Sequence, residues 1–338
     1  MEGKKFNKRK LLNLVIFLVL GAVLLAAVPR WLTALPGVKE SATGKVAPSG
    51  ELAFFHVRKL AAPEFQGRAP GSRGADYAAR YIASQLRRSG CRPAGEAGTF
   101  FQSLRIPCFT LLKRGLRWKP VVREEEFLLS DNVLAAIGPA EGGSVPQTVI
   151  ISAHYDHLGA YGPGYFPGAN DNASGVAVLL EAARVLTAEE EALPFPVIFA
   201  AWTGEEEGMY GSRHFASRFS PERIKAVINL DSLGTGSPVS FLVWTKDRKN
   251  RLLPIVEEAA REVGVAVDVR VLSSSSGYNS DHWAFAEDGI PAVTILSPDW
   301  LEKNHTFEDI PERIVPSKLE NGVRLVVKMV EKLAERER

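Results

Sequence analysis

The sequence predicts a three-layer α/β/α domain built on a mixed, mostly parallel sheet, and three observations carry that expectation. Short apolar runs at 149–152 (VIIS), 196–202 (PVIFAAW) and 226–230 (AVINL) are bounded by turn residues, the pattern of strands buried on both faces. Longer segments of helical period alternate with them, as an α/β fold requires. His154 closes the first run, and further His and carboxylate residues follow the others, where open α/β sheets gather their ligands.

Composition narrows the class. The chain has 338 residues, 46% of them hydrophobic, enough for one large core or two small ones. A net charge of +2 gives no bias toward nucleic acid or an acidic partner, and none is expected. The N-terminus is a targeting element. A basic tail, 1–10, carries Lys4, Lys5, Lys8, Arg9 and Lys10 and precedes an apolar run, 11–28, broken only by Asn13 and Gly21. Eighteen helical residues span about 27 Å, close to the hydrocarbon thickness. The basic flank keeps the tail cytoplasmic and sends the rest across. Pro29, Arg30 and Trp31 follow with no small-x-small cleavage site, so the expectation is an uncleaved transmembrane signal-anchor rather than a signal peptide. The catalytic domain would then be membrane-anchored and extracytoplasmic; cleavage would make it secreted. Residues 29–50, rich in Gly, Pro, Ser and Thr, read as a linker to a domain at 51–338. Outside the cytoplasm Cys91 and Cys108 could pair, or remain two free thiols.

Within the domain, 51–60 opens as a helix and 61–71 (AAPEFQGRAPG) is turn-rich. Residues 75–90 have helical period, with Tyr77, Ala78, Tyr81, Ile82 and Leu86 on one side. Strands are expected at 99–112, 132–137 and from 149, a helix from 176, and a buried strand at 196–202. Residues 215–219 continue a helical stretch. Then come a strand at 226–230, a helix at 251–263, strands at 265–271 and 290–296, and a closing amphipathic helix at 317–338.

Chemistry gathers after the strands. His154 and Asp156 end the first; Asp171 and Asn172 precede the helix from 176. Glu205, Glu206 and Glu207 follow PVIFAAW, Asp231 follows AVINL, and Asp281, His282 and His305 lie around the last strand. A lone His is commonly a loop or core residue, and a Glu run a solvated face. Five coincident events at strand ends are another matter. Buried carboxylates need a positive partner, and these segments hold few Lys or Arg. Metal cations fill that need, and His with carboxylate is a set that zinc accepts.

Jointly, HYDH, DNASG, EEEGMYGS, NLDSLG, SDHWAF with GIP, and NHTFED resemble the aminopeptidase Y family of co-catalytic zinc peptidases. Its relatives include bacterial leucyl aminopeptidases, glutamate carboxypeptidases and the transferrin receptor ectodomain. The similarity runs from about residue 60 to about 314, EFQGRAPGSRG and PAGEAGTFFQ included. The resemblance implies a zinc-exopeptidase-like fold, an eight-stranded mixed sheet between helices, and two zinc ions per chain. His154 and Asp231 would hold one, Glu206 and His305 the other, with Asp171 bridging. Glu205 would be the general base toward a metal-activated water. Asp156 would orient His154 through its other ring nitrogen. Asn304 stands where members carry a Tyr that supports the oxyanion, a role Tyr278 or Asn279 could take. Phe307 and Ser232 also depart from the common pattern. In the loop 160–168, Tyr165 and Phe166 either line the substrate pocket, together with Tyr278, or belong to a packed lid. His157 and His214 read as structural or surface residues, and Asp281 and His282 as supports or packing.

The implied activity is an aminopeptidase on short peptides. Alternatives are a carboxypeptidase or other amidohydrolase, a one-zinc glutaminyl cyclase, and an inactive binding module; the last two are disfavoured because no ligand is missing. About 30 residues separate Phe101 from Asn132, too few for an inserted domain. The motifs hold no Arg/Lys cluster for a terminal carboxylate. A free amino terminus should therefore be required, and C-terminal amidation should matter little.

Overall fold

The computed structural model describes residues 46–139, 147–273, 276 and 279–337. Helix α1 (Gly50–Leu60) begins where the Ser49 side chain accepts from the Leu52 amide at 3.2 Å, with Glu51 in its first turn and Arg58 and Lys59 in its last. Helix α2 (Arg73–Arg88) is capped the same way by Ser72 and buries Ala78, Ile82 and Leu86. The two-residue strand β1 (Arg92–Pro93) leads to a long hairpin of β2 (Phe101–Arg114) and β3 (Arg117–Ile137). Then follow β4 (Thr148–His154), α3 (Gly175–Thr187), β5 (Val197–Trp202) and α4 (Tyr210–Ala216). The chain continues through β6 (Ile224–Leu230), β7 (Ser240–Thr245), α5 (Leu253–Val263) and β8 (Ala266–Val271). It closes with α6 (Trp283–Ala286), β9 (Ala292–Leu296) and α7 (Pro316–Glu335).

Among the described residues these nine strands form one sheet in the order β1-β3-β5-β4-β6-β9-β7-β8, with β2 paired to β3. Period-2 alternation divides the core. Val197, Phe199 and Ala201 of β5 face a layer built by α1, α2, α3, α5 and α7, while Ile198, Ala200 and Trp202 face α4 and α6. Phe199 is fully buried, and truncating such a ring to Ala costs about 3–5 kcal/mol. The central strands β5, β4, β6 and β9 pair in parallel, so their C-terminal ends share one edge. His154 stands at that edge, and the segments after Trp202, Leu230 and Leu296 start there.

The three-layer architecture is as expected, with differences in detail. The sheet has nine strands rather than eight, and its flanks are antiparallel: four of the eight pairings, β1–β3, β2–β3, β3–β5 and β9–β7, run that way. Strand β7 had no counterpart in the sequence reading, and α4 lies mostly before 215–219. The largest difference is β3, which begins at Arg117 rather than Asn132. The 30-residue interval before Asn132 is thus an arm, turning at Gly115 and Leu116 with Gly115 at φ +64°, a conformation suited to glycine at a hairpin turn. Cys91 and Cys108 are both free, and burial pushes the Cys91 thiol up to about 11. The tail, the 11–28 run and linker residues 29–45 lie outside the described residues, as does Tyr278. Among the described residues no helix is long and apolar enough to cross a membrane.

Candidate metal centre

Two groups of possible ligands meet at the C-terminal edge of the sheet, and they share a residue. His154, Asp171 and Asp231 form one; His157, Asp171, Glu206 and His305 form the other, the donor atoms in each lying within 4.8 Å of one another. Asp171 divides its oxygens between them. Its Oδ1 is 3.4 Å from His154 Nε2, and its Oδ2 is 3.2 Å from His305 Nε2. Asp231 Oδ1 lies 3.6 Å from His154 Nε2, and Glu206 Oε2 lies 2.8 Å from His305 Nε2.

Each donor is held by its surroundings. Asp171 sits between β4 and α3, where Asp309 accepts from the amides of Asn170 (2.8 Å) and Asp171 (2.9 Å). Asn172 ties the same loop to β6 by donating to Leu230 O and accepting from the Ser232 amide. Ser280 donates to Asp231 Oδ2 at 2.7 Å. Arg68 is buried and donates four hydrogen bonds, to the carbonyls of Tyr155, Leu60, Pro167 and Gly168, bracing the chain on both sides of the loop 160–168. Burial brings its pKa down to about 10, while Asp309, Asp156, Asp171 and Glu206 oppose that shift, so it stays a cation at neutral pH.

His305 is held by the arm. The Trp118 amide donates to His305 O at 3.1 Å, and His305 Nδ1 lies 2.8 Å from Trp118 O. A carbonyl can only accept, so Nδ1 carries the proton and Nε2 faces Asp171 and Glu206. Trp118 is fixed in turn by Tyr161, 4.3 Å between ring centroids, and by the edge of Phe166.

Electrostatically the centre is short of cations. Asp156, Asp171, Glu205, Glu206 and Asp231 lie together, and no Lys or Arg among the described residues is within ion-pair distance of any of them. Burial opposes charging of His154, but Glu205, Asp171 and Asp231 outweigh it and hold its pKa well above the ordinary value. His305 is raised likewise by Glu206 and Asp171 against burial. Burial also pushes Glu206 up, yet His305 and His157 carry it down to about 2. Glu205 goes the other way. Burial lifts its carboxyl well above the usual range, and Asp281, Asp231 and Glu206 add to this while His154 opposes. The nitrogen and carboxylate donors, with charge unmet by the protein, are a set suited to zinc.

The sequence-derived residues fall into place unevenly. His154, Asp171, Glu206, Asp231 and His305 all belong to the two groups, in the expected pairing. Glu205 lines the cavity of about 420 Å³ above them and belongs to neither group. Asp156 Oδ1 stands 3.8 Å from His154 Nδ1, beyond hydrogen-bond reach, and the nearer acceptor is the Asp156 carbonyl at 3.3 Å. The Asp156 carboxylate instead accepts from the amides of Glu205 and Glu206, both at 3.3 Å, which holds the turn that orders the glutamates. Tyr165 and Phe166 are absent from the cavity wall. Phe166 is fully buried, stacked on Phe307 at 4.2 Å, and the Tyr165 hydroxyl donates to Ala61 O, so the packed-lid alternative describes them. Asn304 donates to Asp171 Oδ2 at 2.5 Å, and Asn279 lines the cavity. Asp281 accepts from Ser212, and burial lifts its carboxyl to about 7; His282 pairs with Thr294.

Two features escaped the sequence. His157, read as structural or surface, is fully buried with Nδ1 2.7 Å from Glu206 Oε1. Gly168 at φ +56° has no room for a side chain beside it, since a Cβ would stand 2.6 Å from the His157 ring. The position of His157, three residues after His154, was the available signal. The other feature is the arm, which brings Arg117 and Lys119 into the cavity wall. The absence of cations holds for the motifs but not for the folded site.

Comparison with known proteins gives the family and the fold. Peptidase family M28 matches residues 132–330. Aminopeptidase YwaD of Bacillus subtilis is 32% identical over 205 residues, 57% of this chain and 42% of that protein. Leucine aminopeptidase 1 of Leptosphaeria maculans is 29% identical over 211 residues, 57% of this chain and 54% of its own length. The chain thus spans about half the length of the curated relatives it matches. In fold it is similar to BSAP, a zinc aminopeptidase from Bacillus subtilis, at a TM-score of 0.69 and 20% identity over 84% of this chain and 95% of that one. It is also similar to an Acidobacteriales bacterium glutaminyl cyclase, with a TM-score of 0.66 and 20% identity over 90% and 100%.

Proposed function

The chain belongs to peptidase family M28, and from that premise we propose that it is a two-zinc aminopeptidase acting on short peptides. One observation carries the reading: the two oxygens of Asp171 face different histidines, the stance of a bridging carboxylate. His154 and Asp231 would hold one ion, Glu206 and His305 the other, and Asp171 both. When bound, such a pair polarises the scissile carbonyl and makes water nucleophilic at neutral pH.

The chain's own part is positioning and proton transfer. Glu205 lines the cavity outside both donor groups, and its raised pKa suits a base that takes a proton from water and returns it to the leaving amine. Asp156 keeps Glu205 and Glu206 in register through their amides. Asn279 lines the same cavity and would support the developing oxyanion. The amine-side polarity is supported by the names of the sequence relatives. The 11–28 run supports an anchored, extracytoplasmic enzyme, which alkaline carbonate extraction tests: release into the soluble fraction would reject it.

The deciding experiment combines metal content with substrate blocking. Two zinc ions per chain, loss of turnover on chelation, and no hydrolysis of N-acetylated peptides are expected. One ion at saturation would favour the cyclase, and turnover of N-acetylated peptides a carboxypeptidase.

A further inference from the structure

The arm joins the centre in a particular way. Along β3, side chains alternate, so Arg117 and Lys119 share one face and Trp118 takes the other. Trp118 turns toward Tyr161 and Phe166, while Arg117 and Lys119 line the cavity that also holds the acids of the sheet edge. The wall is tied down. Arg117 donates to Leu301 O, and the strand is bonded to His305 on both sides of Trp118's peptide unit. Neither cation has a carboxylate within ion-pair distance among the described residues. With one N–H on Leu301, the Arg117 guanidinium keeps further donors for a ligand.

The same cavity is lined by Glu205 and Glu207, acids outside both donor groups. Arg117 and Lys119 are lining cations that no described carboxylate pairs. A free carboxylate is drawn to them. A dipeptide zwitterion presents such a carboxylate directly beyond its scissile amide.

We propose that Arg117 and Lys119 form a carboxylate-binding subsite, and that the preferred substrates are dipeptides whose free C-terminal carboxylate reaches it. This rests on the aminopeptidase reading and adds to it a requirement at the far end of the substrate. It reverses the expectation, drawn from the motifs alone, that amidation matters little. Arg offers a planar fork to the carboxylate and Lys a point charge, and charge-assisted hydrogen bonds of this kind contribute about 1.5–3 kcal/mol, roughly 10–100-fold.

The test uses the zinc-loaded full chain and six substrates: Leu-Gly, Leu-Gly amide, Leu-Gly-Gly-Gly, N-acetyl-Leu-Gly, Leu-Glu amide and Leu-Gln amide. Leu-Gly should exceed its amide and the tetrapeptide in kcat/KM by roughly 10–100-fold, through KM. In the variant Arg117→Gln/Lys119→Gln that ratio should collapse toward one with two zinc ions still bound, and Arg117→Lys should recover only part of it. A wild-type ratio near one, or a ratio that survives the double substitution, overturns the subsite. A preference for Leu-Glu amide over Leu-Gln amide that equals the acid-to-amide ratio also overturns it, because the wall would then read a side chain. Turnover of N-acetyl-Leu-Gly matching Leu-Gly is a separate failure. It rejects the aminopeptidase reading and with it the zwitterion assignment. Binding of a reduced-bond Leu-Gly analogue, acid against amide, reads the subsite without turnover, and equal affinities would reject it.

Discussion

His157 Nδ1 lies 2.7 Å from Glu206 Oε1, while the other oxygen of Glu206 lies 2.8 Å from His305 Nε2. The carboxylate is thus shared between two imidazoles, one per oxygen. His157 Nε2 is buried and has no partner, so the ring's proton belongs on Nδ1, where an acceptor faces it. His157 holds Glu206 with one oxygen toward the second donor group. Removing such a support commonly weakens metal affinity by roughly 10–100-fold. His157→Ala should therefore lower zinc affinity at the Glu206/His305 site by that order and leave the His154/Asp231 site unchanged, as read by chelator competition. His157→Asn, which keeps a donor, should recover part of the loss. Equal weakening of both sites would reduce His157 to a packing residue.

The adjacent glutamates should fail differently. Glu205→Gln removes the proposed base and no donor, so both ions should remain and turnover should drop by ~10²–10⁴-fold. Glu206→Gln removes a charged oxygen beside His305, so metal content should fall and added zinc should partly restore activity. Loss of metal from Glu205→Gln with retention in Glu206→Gln would contradict the arrangement around Asp156.

Acid sensitivity should have a contribution from His282. Burial lowers its pKa from 6.5 to about 3, so the folded protein holds it neutral where an unfolded chain would protonate it. The sign follows: stability is complete above pH 6.5 and declines as pH falls from there toward 3. At pH 5 this one group should cost about 2 kcal/mol, from ~1.4 kcal/mol per pH unit. Urea unfolding of metal-free protein at pH 7 and pH 5 should show a smaller loss in His282→Gln than in the wild type. Identical losses would assign the acid sensitivity to other groups.

Arg68 should be intolerant of a conservative change. Its guanidinium reaches four carbonyls from three segments, which three ammonium hydrogens on a flexible stem cannot reproduce. Arg68→Met should cost more than about 3 kcal/mol, since several buried carbonyls lose their donor at once. Arg68→Lys should recover only a fraction. Urea midpoints near the wild-type value for either variant would show that water or a shifted loop replaces the guanidinium.

The alternation of strands and helices was legible in the sequence because burial on both sides of a parallel strand leaves a continuous apolar run, as in β4 and β5. Five of the six residues in the two donor groups were legible for a related reason. A residue just past such a run is carried to the sheet edge by local connectivity, so His154, Glu206 and Asp231 could be placed together before any contact was known. The outer half of β3 had no such signal. It stands largely in solvent, with Val121, Phe127 and Leu129 exposed, so its pattern carries no buried face to read. The roles of that arm come from contacts across the fold, among them Trp118 to His305 over 187 residues. The sequence by itself determined that five of these donors reach the edge. Only the tertiary structure decided how they divide around Asp171, that His157 steadies Glu206, and that Arg117 and Lys119 line one cavity with the acids, because those depend on sheet register and long-range packing rather than on neighbours along the chain.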